Sequence, residues 1–390
     1  MKVTIYNGGG QADYLYGLVS GLHSSPIKKI DILDIDRSEN LFNNFAKVKF
    51  QSVYKYQKKG SSILKKGFNI LRYYTLQMMH LILNKPRVIH FQWLDRFYIP
   101  DRIILPLIAR LFGHKTVLTV HNVNAGKRDN KDSFYNRFTL KVLYHTCHHL
   151  VVHTPASRIE LMTDFKIDSR KISVIKHGMN NKVTVLGLTK SQARQLLEIP
   201  MDRKVILFFG NIDYYKGLDV LLESIHFLEE ELKKDLTLII AGNIKSTEYS
   251  NVVLEMIENS PIKKEIISHI RYIRDEEIEP FFQAADTIAM PYRDIYQSGV
   301  LFMAYNFGLP PIATRVGNFE NDIQEAKTGI LAQGEGVIAF SHAITQFFNS
   351  EMFKNIELTR QYIKTWSAKQ YSWDSIGAQT YDLYKQLVER

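Results

Sequence analysis

Short runs of consecutive apolar residues alternate along this chain with longer segments whose apolar positions recur every three to four residues. Residues 3–6, 29–33, 88–91, 116–120 and 150–152 read as buried strands, and residues 12–22 and 102–111 as helices between them. A second series follows: strands are expected at 205–209, 236–241, 269–273, 287–290, 311–314 and 329–331, with helices at 217–232 and 278–284. Strand–helix alternation of this kind predicts parallel sheets covered on both faces. The rhythm breaks at 180–199, so the expected fold class is α/β. Two Rossmann-like, doubly wound domains would form from residues 1–185 and 186–368, with a last helix at 369–390. In such folds ligands sit beyond the carboxyl ends of the strands, and a cleft is expected where those ends face each other.

One helical pattern admits two readings. Leu64, Phe68, Leu71, Met78 and Ile82 share a face, Lys65, Asn69 and Arg72 lie elsewhere, and Lys58 and Lys59 precede it. With Tyr73 and Tyr74 this is either a basic amphipathic helix for a membrane interface or a surface helix packing its stripe on the sheet. Charge changes the balance. The net charge is +10, but residues 1–180 hold 28 Lys+Arg against 12 Asp+Glu, whereas the remainder holds 22 against 28. A basic first half is expected to meet something anionic: nucleic acid, an anionic membrane surface or a phosphate-bearing acceptor.

A chain of 390 residues with 45% hydrophobic and 23% charged residues suits two globular domains. The opening residues do not read as a signal peptide, and no window nears the roughly 18 apolar residues of a membrane span. The single cysteine, Cys147, allows no internal disulfide and fits a reducing compartment. The expected location is cytoplasmic.

Phosphate binding needs free backbone N–H groups, a helix start and a cation. Gly8-Gly9-Gly10 follows the first strand and precedes a helix, without matching a dinucleotide or P-loop pattern. At 208–223 a buried strand ends at Gly210, and a short loop leads through Lys216-Gly217 into an amphipathic helix. This element resembles the strand–glycine–loop–Lys–Gly–helix element of glycosyltransferase family 4, which has the GT-B fold. Further landmarks resemble that family in the same order: 174–178 (VIKHG), 273–278 with 284–286 and Met290-Pro291, the stretch from Gln297-Ser298-Gly299 to Gly317, and the ending from Tyr371-Ser372-Trp373. The ordered set covers most of the chain from about Thr119 onward.

The resemblance implies a retaining, metal-independent hexosyltransferase with no cofactor beyond a nucleoside-diphosphate sugar as co-substrate. Lys216 would hold the donor diphosphate, and Ser298, Gly299 and Val300 would offer backbone N–H groups to it. Gly210, Asn211, Gln297, Met303 and His177 complete the donor side that it implies. His121 would stand near the reacting sugar, and Gly8, Gly9 and Gly10 would let the first loop approach the substrates. Gln92 and Trp93 could form an acceptor platform, or Trp93 could fill the sheet's edge. The implied partners are a nucleotide-sugar donor and a glycan or lipid-linked acceptor of polysaccharide biosynthesis, and not nucleic acid; the basic first half and the amphipathic helix add the expectation of an anionic membrane surface on the inner face. The last helix would cross back to the first domain. Two departures stand out. The family's pair of glutamates falls on Met303 and near Ile295, with Asp294 and Gln297 as nearby polar residues, and its usual arginine is Asn211. These departures leave open a catalytically weak or inactive binding subunit; an epimerase of the same fold would need cleft carboxylates.

Two patterns read as structural. Asp34-Ile35-Asp36 reads as a solvated strand end rather than a metal-binding DxD. His145, His148, His149 and His153 have no carboxylate nearby to complete a zinc site. His90, His153 and His177, taken singly, also read as structural residues.

Overall fold

The computed structural model describes residues 1–35, 40–54, 62–84, 88–94, 96–128, 132–179, 185–244 and 246–389. Lys58, Lys59 and Asp36 lie outside them. The chain divides into two compact units, Met1–Asn181 with Tyr371–Arg390, and Lys182–Gln370. The sequence pattern placed the divisions at 185/186 and 368/369.

The first unit is built on a parallel sheet. Its strands are β1 (Lys2–Tyr6), β2 (Lys29–Ile35), β3 (Val48–Tyr54), β4 (Val88–Phe91), β5 (Lys115–Thr119), β6 (His149–Val152) and β7 (Ile172–Val174), in the order β3-β2-β1-β4-β5-β6-β7. The order reverses between β1 and β4, which pair directly, Tyr6 opposite Phe91. That reversal is the switch point at which doubly wound sheets open a ligand crevice. Strands β3 and β7 were not anticipated. In β3 the residues are mostly half-buried, as on a sheet edge, so its apolar run is interrupted by Lys49, Gln51 and Ser52. β7 is only three residues long and runs into the Lys176–Gly178 segment.

Three helices matter here: α1 (Ala12–His23), α2 (Ile63–Leu83) and α3 (Leu105–Leu111). The expected helix at 102–111 is widened at its start into a π-helical turn, Pro100–Ile104, before α3 begins. Helix α2 reverses the usual arrangement. It buries Asn69, Tyr73, Gln77, His80 and Leu81, and leaves Leu64, Phe68, Leu71 and Ile82 exposed. The buried side is held by polar contacts: His80 Nε2 lies 3.1 Å from Thr4 Oγ1, and the Tyr6 hydroxyl donates to the Gln77 carbonyl at 3.1 Å. The packing of the apolar stripe on the sheet, one of the two readings of this pattern, is therefore ruled out. The exposed position of its fifth turn is Met79 rather than Met78.

The end of the chain completes this unit's core. In the closing helix, α7 (Trp373–Glu389), Trp373, Ile376, Leu383, Tyr384 and Leu387 join the core formed by α1 and the sheet. Trp373 is seated by glycines: a Cβ at Gly17 would come 2.0 Å from its ring and one at Gly178 2.3 Å. Its indole N–H donates to the Met179 carbonyl at 2.6 Å.

The second unit repeats the plan with β8 (Lys204–Phe209), β9 (Leu236–Ala241), β10 (Ile266–His269), β11 (Thr287–Met290), β12 (Pro311–Ala313) and β13 (Ile330–Leu331). Their order is β10-β9-β8-β11-β12-β13, with the reversal between β8 and β11. β10 lies at 266–269 rather than 269–273, because Ile266–His269 pairs in register with Leu238–Ala241. The helix expected at 217–232 is two, α5 (Leu218–His226) and a short turn Glu230–Asp235. Buried Glu279 accepts the N–H groups of Leu186, Gly187 and Leu188, so the stretch after 185 is anchored to this unit.

Candidate functional site

In the second unit the switch point sets Gly210, at the end of β8, beside Pro291-Tyr292, at the end of β11. Gly210 has φ +101°, and a Cβ there would meet Lys216 Nζ at 2.7 Å and Val300 Cγ2 at 3.3 Å. Glycine is required because an ammonium group and a helix start both press on this backbone. Lys216 is buried; it closes the 3-10 turn Tyr214–Lys216, and its Nζ stands 5.5 Å from the Tyr292 ring centroid. Gly217 follows with φ +68°, and a Cβ there would lie 2.0 Å from the Pro291 carbonyl oxygen. The Lys–Gly pair is thus wedged against the β11 loop.

That wedge has a second fastening which the sequence did not disclose. The Arg293 backbone N–H donates to the Tyr215 carbonyl at 2.7 Å, and its guanidinium to the Tyr214 carbonyl at 2.7 Å. The guanidinium also grips Asp219 with two hydrogen bonds, at 2.9 and 2.5 Å. Burial pushes the Asp219 carboxyl upward, but the bonds from Arg293 and from the Tyr249 hydroxyl outweigh it, so the group lies below the usual range. Arg293 therefore fixes the turn that presents Lys216.

Helix α6 (Gly299–Asn306) begins next to this ammonium. Space is open around Gly299: a Cβ built there meets nothing within 4 Å. Ser298 precedes the helix and is buried, without capping it through its side chain. Both side-chain polar atoms of Gln297 are buried and have no hydrogen-bond partner among the described residues. Buried amides are almost always partnered, so this one calls for a polar ligand group. Met303 lies half-buried one turn into α6, Asn211 is exposed, and Ile295 is buried. The structure thus brings Gly210, Lys216 and Val300 together at one helix start, with Gln297 and Ser298 leading into it.

The first unit has its own arrangement at the β1/β4 reversal. Asp34 is fully buried and accepts from Asn7 Nδ2 at 2.9 Å and the Gly9 N–H at 2.8 Å. The reading of Asp34 as solvated is therefore corrected: it fastens the glycine loop. A Cβ at Gly8 would meet the Trp93 carbonyl oxygen at 2.7 Å, and one at Gly10 would meet Trp93 Cβ at 2.8 Å. The closest approach of this loop is to Trp93, and Gly9 faces Ile35.

Gln92, Trp93 and His121 line one cavity of about 250 Å³, together with Arg102, Asn122 and Asn136. Gln92 Nε2 donates to His90 Nε2 at 2.9 Å, while its Oε1 is buried with no partner among the described residues. With Nε2 of His90 accepting, its Nδ1 carries the proton toward the Tyr384 hydroxyl. His121 packs on Trp93, with ring centroids 5.0 Å apart, and on Tyr14, at 4.7 Å. Its Nδ1 lies 3.3 Å from His153 Nε2. Burial, with the charges that His153, His177 and His90 would carry, holds the His121 imidazole well below the usual histidine range. His177 bonds the Gly178 carbonyl at 2.7 Å and packs on Tyr14 and His153, within this same unit. The other histidines are committed separately: His145 to the Phe165 carbonyl, His148 to Thr116, and His149 to Ser173.

Two tandem parallel-sheet units, each with its loops gathered at a switch point, have the fold of GT-B glycosyltransferases. Sucrose-phosphate synthase from Thermosynechococcus elongatus has a similar structure, with a TM-score of 0.76 and 15% identity over 99% of each chain. Anabaena Alr3699/HepE in complex with UDP-glucose is also similar (TM-score 0.74, 13% identity), covering 99% of this chain and 100% of that one. At these identities the likeness establishes the fold. Residues 189–366, within the second unit, match the family model Glycosyl transferases group 1. D-inositol 3-phosphate glycosyltransferase of Corynebacterium diphtheriae is 27% identical over 242 residues, or 60% of this chain. The match spans only 56% of that relative's length.

Proposed function

We propose that the chain is a retaining glycosyltransferase of family 4, moving a hexose from a nucleoside-diphosphate sugar to a hydroxyl of a glycan or lipid-linked acceptor. The observation that carries this reading is the Lys216 ammonium, held between Gly210 and the first turn of α6 inside the segment that matches the family model. A diphosphate there would meet a cation and free N–H groups together, and both stabilise the charge that grows as the sugar departs. Lys216 and the α6 N–H groups supply that stabilisation without a metal. The buried amide of Gln297 serves as a sugar or phosphate contact in place of the family's glutamate.

The cavity of the first unit takes the acceptor. Its volume suits a sugar ring, Trp93 gives a flat apolar face, and the unpartnered Oε1 of Gln92 accepts from a sugar hydroxyl. His121, held neutral, offers a hydrogen bond rather than a positive charge to the acceptor. In a front-face retaining reaction the leaving diphosphate takes the acceptor's proton, and the protein mainly orients the partners. No side chain is then required to act as nucleophile.

The test is a donor screen that follows nucleoside-diphosphate release from UDP-, GDP- and ADP-sugars with sugar and lipid-linked acceptors. Release that depends on acceptor supports the reading; silence across all three donor classes sinks it. Donor binding by calorimetry without turnover would favour a binding subunit, the reading to which Met303 and Asn211 point.

A further inference from the structure

Helix α2 carries a stripe that nothing in the described structure covers. Leu64 is 86% exposed, Phe68 69%, Leu71 66%, Met79 47% and Ile82 43%, and these residues lie along one face, interrupted only by Thr75. The opposite, buried face is largely polar. A surface helix ordinarily turns its apolar stripe inward, so this orientation points to a partner outside the fold.

The exposed apolar surface continues beyond the helix. Tyr74 of α2 lies 6.5 Å, centroid to centroid, from Phe97, which is itself exposed. The next residue, Tyr98, contacts Tyr135, 5.6 Å away, at the start of α4 (Phe134–Thr146). There Phe134 stands 86% exposed. Aromatic residues with one polar edge favour the boundary between lipid and water.

Charge identifies the partner. Residues 40–128, which hold α2 and the Phe97 segment, contain sixteen Lys+Arg and only two Asp+Glu. Helix α2 itself carries Lys65, Lys66 and Arg72 and no acidic residue. An apolar stripe beside the exposed Lys65 and Lys66, in a segment this basic, suits an anionic lipid surface: the stripe enters the acyl boundary and the cations meet the headgroups. A second copy of this chain would bring the same positive field against itself, which disfavours a symmetric pair.

We infer that the α2 face and the Phe97 segment of the first unit form a docking surface for an anionic bilayer. The inference does not depend on the glycosyltransferase reading. The test is co-flotation of the full chain with vesicles of 30% phosphatidylglycerol in phosphatidylcholine, against pure phosphatidylcholine, at physiological and at high salt. Wild-type protein should float with the anionic vesicles and lose most of that binding in high salt or on neutral vesicles. The pair Lys65→Glu/Lys66→Glu and the pair Phe68→Ser/Leu71→Ser should each lower binding by roughly tenfold or more. These side chains are exposed, so both variants should keep the wild-type circular dichroism and melting temperature. They should also keep the rate of nucleoside-diphosphate release with a soluble acceptor, which separates failure of the surface from failure of the enzyme. Absence of flotation would overturn the inference, as would unchanged flotation of the Phe68/Leu71 variant. A concentration-dependent dimer abolished by the Phe68/Leu71 pair, with no vesicle binding, would overturn it in favour of self-association.

Discussion

Mild acid should loosen the first unit. His90 and His153 are buried, and the fold holds both rings neutral, with values pushed down to about 3. Burial is the main cause in each. The charge that His153 would carry adds to it at His90, and that of His177 at His153. An unfolded chain imposes no such restraint and binds a proton at each ring near pH 6.5. The folded values lie below the unfolded ones, so the contribution is complete above roughly pH 7.5. It is lost as the pH falls from about 6.5 toward the folded values. At pH 5 each ring costs about 2 kcal/mol, and its slope approaches ~1.4 kcal/mol per pH unit. The two rings together remove about 4 kcal/mol from a domain whose total stability is typically ~5–15 kcal/mol. His177, pushed down to about 4 mainly by burial, acts in the same direction.

Urea unfolding between pH 8 and pH 5, followed by tryptophan fluorescence, reads this directly. Trp93 and Trp373 belong to the first unit and Trp366 to the second, so Trp366→Phe leaves a signal from the first unit alone. The unfolding midpoint should fall continuously below pH 7. His153→Gln should flatten the profile by about one proton, even if that variant is less stable at pH 8. A midpoint that is level from pH 8 to pH 5 would refute the claim that these rings stay neutral in the fold.

Lys216→Ala should lower nucleoside-diphosphate release by roughly tenfold or more with little change in melting temperature; near-normal turnover would mean that the diphosphate binds elsewhere. Arg293→Met should reduce turnover several-fold more than it changes the donor KM, because it frees the turn that aims Lys216, and Arg293→Lys should restore only part of the loss. An effect on melting temperature alone would reduce Arg293 to a stabilising role. Trp373→Ala should cost about 3–5 kcal/mol in urea unfolding of the first unit; a loss under ~1 kcal/mol would show that the closing helix is held by its other contacts.

How much of this was legible in the sequence depended on how far apart the cooperating residues lie. The strands β8 and β11, Gly210 and the Lys216-Gly217 step announced themselves locally: a buried run, a glycine where the backbone is crowded, and a cation before a helix. The strand β3 did not, because a half-buried edge strand mixes polar residues into its apolar run. Asp34 misled for a different reason. A carboxylate after a strand normally reaches water, and only the partners Asn7 and Gly9, about 25 residues away, reveal that it holds a loop. Arg293 was illegible on the same ground, since its clamp on Tyr214 and Asp219 closes over more than 70 residues.

Helix α2 shows the remaining limit. Periodicity defines an apolar face but not its direction, since a stripe turned to the sheet and one turned outward have the same spacing. What decided the direction was the other face. Tyr73, Gln77 and His80 find buried positions, and His80 has its partner in Thr4 of β1. Desolvated polar groups are costly unless bonded, so the His80–Thr4 bond favours this face as the buried one and leaves the apolar stripe outward. Of the two readings of this pattern, the stripe packed on the sheet fails because the polar face has its hydrogen-bond partner there, His80 with Thr4 of β1.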